Sequence, residues 1–175
     1  IGEEGRGFIQ TLQVLDAGRV HGDREFLVWQ SQRLTFNQYY DQVDRLAEQM
    51  VARFGLQPGE RVAIAMRNQP AWLVAFAAIL RCGAVCVPLN SWGLRDELQY
   101  ALQDSGSRLL LCDQARLDTL REDLAREQRA TIRESGFIVE VQPSTAEPDL
   151  VAAIDDRPSP YRDRRVHRML DGYQL

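Results

Sequence analysis

The hydrophobic pattern is densest between residues 61 and 90, RVAIAMRNQPAWLVAFAAILRCGAVCVPLN, where unbroken apolar runs are separated by short polar breaks. Residues 62–66 read as a strand, Asn68 and Pro70 as a polar turn into an Ala- and Leu-rich helix, and residues 84–89 as a second strand. Asn68 is the expected N-cap, and Pro70 falls in the first turn, where a missing N–H is tolerated. Trp72, Leu73, Phe76, Ala77 and Leu80 are the expected buried face, and Gly83 the stop. Two strands joined by one helix make a right-handed βαβ unit with parallel strands. Strands that are apolar throughout are expected to be covered on both faces.

The flanking segments extend this unit in both directions. Loose apolar spacing from Phe8 to Val20 predicts an amphipathic helix. The runs at 25–30 and 32–34 predict a short hairpin turning near Ser31, where His21 before it reads as a surface turn residue. Thr35 and Gln38 have the spacing of a capping box, followed by a helical stripe of Tyr39, Val43, Leu46, Ala47, Met50, Val51 and Phe54 that Gly55 ends. Asp41, Asp44, Arg45 and Glu48 lie off that stripe and read as a solvated face. Leu94, Leu98, Ala101 and Leu102 stripe a further helix closed by Gly106. RLLLC at 108–112 is a third parallel strand, Leu117, Leu120 and Leu124 mark another helix, and FIVEV at 137–141 is a fourth strand. The alternation predicts an α/β fold, a doubly wound, mostly parallel open sheet with a short β hairpin near its start. From about Pro143 the pattern dissolves, and residues 156–175 carry five arginines against Asp156, Asp163 and Asp171 without a period. The chain is therefore divided into a subdomain at 1–155 and an irregular, disordered or non-homologous tail at 156–175.

Composition changes this picture at three points. The net charge of −4 argues against nucleic acid as a partner. All 21 basic residues are arginine, so a Schiff-base lysine or a phosphate-loop lysine is excluded for this chain by itself. Cys82, Cys86 and Cys112 lack CxxC spacing and sit in apolar contexts, which predicts buried thiols and no metal site. Arg81 and Gly83 interrupt the apolar run at 71–89, so no transmembrane segment is expected. The opening IGEEGRG lacks the basic and apolar regions of a secretory signal, and a cytoplasmic location is the expectation.

The doubly wound pattern invites a nucleotide site, yet no GxGxxG follows a strand, and no Walker or GxSxG sequence is present. More specific are LTFNQYYDQVDRLAEQM (34–50), LQPGERVAIAMRNQPAW (56–72), AILRCGAVCVPLN (78–90) and DELQYALQDSGSRLLLCD (96–113), with HGDREFLVW (21–29) one step earlier. These consecutive motifs resemble the amino-terminal region of the adenylate-forming acyl-CoA synthetases, a superfamily shared by acyl- and aryl-CoA ligases, firefly luciferase and peptide-synthetase adenylation domains. The resemblance covers residues 8–155. It implies a carboxylic acid substrate, with a fatty acid ahead of an aryl acid, converted through an acyl-adenylate to an acyl-CoA with ATP, Mg2+ and CoA in the full-length enzyme.

The family's Ser/Thr-Gly-rich loop ending in Pro-Lys-Gly, its magnesium glutamate and its carboxy-terminal lysine have no matching position here. The expectation is a fragment cut off before the phosphate loop, through a frameshift, a misplaced gene boundary or a designed truncation. No catalytic or metal-binding residue is assigned, and the fragment by itself is expected to bind no cofactor and to be inactive. Trp72 is expected to anchor the core. Trp92 and Arg95, in the loop after the second strand of the βαβ unit, face the expected CoA side, where an arginine can pair with a CoA phosphate. Uncovered apolar faces lead to an expectation of self-association. The competing reading is a stand-alone flavodoxin-like binding or interaction module without catalysis.

Overall fold

The computed structural model describes residues 11–127 and 137–139. A helical stretch at 11–16 runs into a 3₁₀ turn at Ala17–His21. The hairpin follows as β1 (Glu25–Trp29) and β2 (Gln32–Thr35), antiparallel, with Gln30 at φ 50° in its turn. Thr35 Oγ1 accepts from the Gln38 N–H at 3.2 Å and Gln38 Oε1 accepts from the Thr35 N–H at 2.9 Å, so the predicted capping box opens α1 (Phe36–Ala52). The α/β alternation is then β3 (Arg61–Ala65), α2 (Pro70–Arg81), β4 (Val85–Pro88), α3 (Arg95–Ser105), β5 (Leu109–Cys112), α4 (Gln114–Glu127) and β6 (Phe137–Val139).

The four later strands form one parallel sheet in the order β4-β3-β5-β6. Chain direction reverses across β3, because α2 leads outward to β4 and α3 returns past β3 to β5. The period of two along β3 and β5 separates two cores. Val62, Ile64, Leu109 and Leu111 face α1 and α2, where Val43, Leu46, Met50, Val74, Ala75 and Ile79 meet them. Ala63, Ala65, Leu110 and Cys112 face the other way, onto Leu98 of α3 and Leu117 and Leu120 of α4. This is the doubly wound sheet with a short hairpin that the pattern predicts.

Several local expectations are corrected. The N-cap of α2 is Gln69, extended at φ −155° and ψ 165°, and not Asn68. Pro70 starts the helix, and its ring drives the residue before it out of the helical region. Small residues bring α2 close to the sheet: Ala71, Val74, Ala75, Ala78 and Ile79 are buried with Ala77, whereas Leu73 is exposed. Trp72 and Phe76 are partly buried against the same core, stacked at 5.4 Å. Among the described residues strand β4 has a neighbour on one edge only, and Val85 on it is exposed, so the two-sided burial expected of it is incomplete there. In α3 only Leu98 is buried; Leu94 precedes the helix as its N-cap and projects into solvent. In α1, Tyr40 joins the buried stripe and Val51 leaves it. Phe8, Ile9, the end of the fourth predicted strand and the tail at 156–175 lie outside the described residues.

Asp44, expected on a solvated face, is part of an ion network that fastens the amino-terminal turn to α1 and α2. Arg81 pairs with Asp16, and its Nε lies 2.9 Å from Asp44 Oδ1, an ion pair without hydrogen-bond geometry. Arg19 donates to Asp16 at 2.8 Å and to both Asp44 oxygens at 2.9 Å. The Arg81 side chain is only 9% exposed, and removing it leaves the partly exposed Asp16 and Asp44 to Arg19 alone. Arg81→Leu is expected to cost roughly 1–3 kcal/mol in urea unfolding.

Burial acts to raise the Asp16 carboxyl, but the hydrogen bond from Arg19 and the charge of Arg81 outweigh it and hold it below its ordinary value. A carboxyl depressed on folding contributes stability above its unfolded pKa of about 3.9, and that contribution is lost as pH falls through the folded value. Stability is therefore expected to drop below about pH 4, with a shallower fall in Asp16→Asn, as read from urea midpoints across the acid range.

Candidate functional site

In an open α/β sheet the crevice for a ligand lies outside the carboxyl ends of the strands, where the winding direction reverses. Here that point is the end of β3 and its neighbours. Three loops meet it: the β3–α2 turn with Arg67, the β4–α3 loop with Trp92, and the β5–α4 turn with Asp113.

Asp113 ties two of these turns together. It is 7% exposed; one oxygen accepts the Arg67 backbone N–H at 3.0 Å, and the other accepts the Arg116 backbone N–H at 3.0 Å. The Arg116 guanidinium closes on both oxygens at 3.1 Å. The same residue starts α4, because its carbonyl accepts from the Leu117 N–H at 2.9 Å. A buried carboxylate is tolerated here because charge-assisted bonds surround it.

The third loop is shaped by close contacts. Asn90 Oδ1 accepts from the Trp92 N–H at 3.1 Å, and the Asn90 carbonyl accepts from the Gly93 N–H at 2.9 Å. A Cβ at Gly93 would meet the Asn90 carbonyl at 3.0 Å and Glu97 Oε2 at 3.2 Å, which explains a glycine there. Glu97 Oε2 accepts from the Leu94 N–H at 3.0 Å and so satisfies one of the free donors at the start of α3.

The loop projects Trp92, 74% exposed, and the Arg67 guanidinium lies over its ring, with Cζ 3.0 Å from the centroid. Arg67 Nε is buried and has no hydrogen-bond partner among the described residues. Arg95 is the first residue of α3 and half-buried. Of the two residues singled out from sequence, Trp92 is thus joined to the switch point through Arg67. Arg95 stands on the same loop at the positive end of a helix dipole. Arg67, Asp113 and Arg116 escaped the sequence reading. Their signal is positional, since Arg67 and Asp113 are the charged residues that follow the apolar runs of β3 and β5.

Two of the three thiols are poor nucleophiles. Burial pushes Cys82 up to about 12 and Cys86 up to about 11, so neither supplies a thiolate near neutral pH. Among the described residues no three His, Cys, Asp or Glu side chains converge to hold a metal ion, and no helix is long and apolar enough to cross a membrane.

The AMP-binding enzyme family matches residues 15–165. The chain belongs to that family. An acyl-CoA ligase of Aspergillus fumigatus, sidI, is 38% identical over 106 residues, covering 59% of this chain and 17% of that protein. The medium/long-chain-fatty-acid–CoA ligase FadD6 of Mycobacterium tuberculosis is 32% identical over 98 residues, covering 56% of this chain and 16% of that protein. The chain therefore spans about a sixth of the length of these AMP-binding relatives. The crystal structure of the anthranilate CoA ligase AuaEII with anthranoyl-AMP superposes with a TM-score of 0.66 over 82% of this chain and 27% of that one. Its 19% identity makes this a likeness of fold.

Asp113→Ala removes the brace between two turns and the cap of α4 together. A loss of roughly 2–3 kcal/mol is expected in urea unfolding, with about half recovered in Asp113→Asn, which keeps one accepting oxygen.

Proposed function

We propose that residues 1–155 are the amino-terminal scaffold of an ATP-dependent carboxylic acid–CoA ligase. In this reading the whole enzyme forms an acyl-adenylate and then an acyl-CoA, a fatty acid is the substrate, and Trp92 and Arg95 lie on the CoA side. The observation that carries the reading is the family match across residues 15–165 together with acyl-CoA ligases among the relatives. A fatty acid is favoured over an aryl acid by the likeness to the medium/long-chain ligase.

The chain itself serves as a scaffold and not as a catalyst. It contains no lysine, and therefore neither the lysine of a phosphate loop nor a lysine to stabilise the adenylate-forming transition state. In this reading the Mg2+ that accompanies ATP is held by other parts of the whole enzyme. A cytoplasmic location and self-association through the open β4 edge and Val85 belong to the same reading.

Pyrophosphate release from residues 1–175 with ATP, CoA and a panel of fatty and aryl acids is expected to stay at background. Turnover by this chain alone would overturn the scaffold assignment. In the coding DNA, a Ser/Thr-Gly-rich loop ending in Pro-Lys-Gly is expected downstream in one of the frames. Its lack in all frames would count against the ligase.

A further inference from the structure

The ion network between the amino-terminal turn and the helices consists of two pairs, each complete on its own side. Asp16 and Arg19 belong to the turn and pair with each other at 2.8 Å, while Asp44 of α1 and Arg81 of α2 belong to the body and lie 2.9 Å apart. The contacts that join the two sides are crossed, Arg81 to Asp16 and Arg19 to Asp44. Lifting residues 11–21 away breaks the crossed pairs and still leaves each of the four charges a partner. The usual penalty for parting a charged contact, an ion left alone against the core, is therefore avoided.

Apolar contact does little to hold the segment. Leu15 packs against the core between the sheet and α1/α2, but Val14 and Val20 are exposed and no residue of Ala17–His21 is buried. The buried members of that core all come later in the chain, from Tyr39 onward. Tyr40 supplies most of the other attachments. Its hydroxyl donates to the Leu15 carbonyl, the Arg19 guanidinium lies 4.3 Å from its ring centre, and a Cβ on Gly18 would meet its hydroxyl at 2.6 Å. The chain just after the segment is fixed to the start of α1. The Asn37 N–H donates to the Gly22 carbonyl at 2.9 Å, the Asn37 side-chain amide to Asp23 at 2.8 Å, and the Phe36 N–H to the Arg24 carbonyl at 3.1 Å. Gly22, at φ 56° and ψ −120°, is the joint between the two regimes, in a conformation that glycine adopts without strain.

We propose that residues 11–21 form an ionic strap that opens as a unit about Gly22 while the sheet stays folded, uncovering Tyr40 on α1. Charge closes the strap and ionic strength releases it, because Asp16, Arg19 and Asp44 in the crossed pairs are partly exposed and open to screening. The device is independent of the ligase reading.

Hydrogen exchange of the 1–175 chain, read by mass spectrometry at about 0.02 and about 0.5 M NaCl, tests it. Rates are divided by those of an unstructured peptide of the same sequence in the same salt. Residues 11–21 are expected to exchange faster than β3 and to speed up roughly three- to tenfold at the higher salt, with β3 unchanged. Arg19→Gln is expected to show the high-salt rate already at low salt and to lose the salt response. Gly18→Ala, which crowds Tyr40, is expected to speed exchange of the strap at both salts and to keep the salt response. A strap rate that ignores salt in the parent chain overturns closure by charge, and a strap rate equal to that of β3 overturns independent opening. Both of these outcomes are read without any variant, so they stand even where a substituted chain fails to fold.

Discussion

Strand β3 has no solvent-accessible surface from Val62 to Ala65, and the rest of the fold follows from meeting that condition. Such a strand needs a hydrogen-bonding neighbour on each edge and an apolar cover on each face. Strands β4 and β5 provide the edges, and the helix pairs α1/α2 and α3/α4 provide the faces. Right-handed crossovers from a single central strand can cover both faces only by leaving it in opposite directions. The reversal beside β3 is therefore a consequence of burying it, and a crevice at its carboxyl end comes with the reversal. Residue size is matched to the two covers, since Val62 and Ile64 fill the larger core while Ala63 and Ala65 allow α3 and α4 to approach.

The two ends of the sheet use charge differently. At the amino end, Arg108 donates to the Gly55 and Phe54 carbonyls at 2.8 and 2.9 Å and pairs with Glu60, closing the end of α1 onto the start of β5. Those are carbonyl-capping bonds, with the arginine consumed by the fold. At the carboxyl end, Asp113 is similarly consumed, but it takes the backbone of Arg67 and leaves that guanidinium to lie on Trp92. The contrast separates an end built for stability from an end that still presents side chains.

The family and the missing lysine are consistent with one division of labour. An enzyme that activates a carboxylate must neutralise developing charge on phosphate and carry a mobile catalytic group. A scaffold region needs neither, and its contribution is a rigid sheet on which other segments are placed. Arg67, Trp92 and Asp113 stand together at the carboxyl end of that sheet.

The element order, the parallel βαβ unit, the capping box at Thr35 and the αL glycine at Gly106 were legible in the sequence, because each depends on local spacing or on one residue's backbone preference. The family was legible for a related reason, as its motifs lie consecutively along the chain. Which face of α2 is buried was not, since Leu73 and Ala75 differ in hydropathy in the opposite sense to their burial, and helix–sheet distance decided the matter. Asp44 looked like surface until the amino-terminal turn brought Asp16 and Arg19 against it and Arg81. Arg67, Trp92 and Asp113 are distant in sequence and belong to three different turns. Only the winding of the sheet about β3 puts them together, because proximity across loops is set by strand order, and strand order is a property of the folded chain.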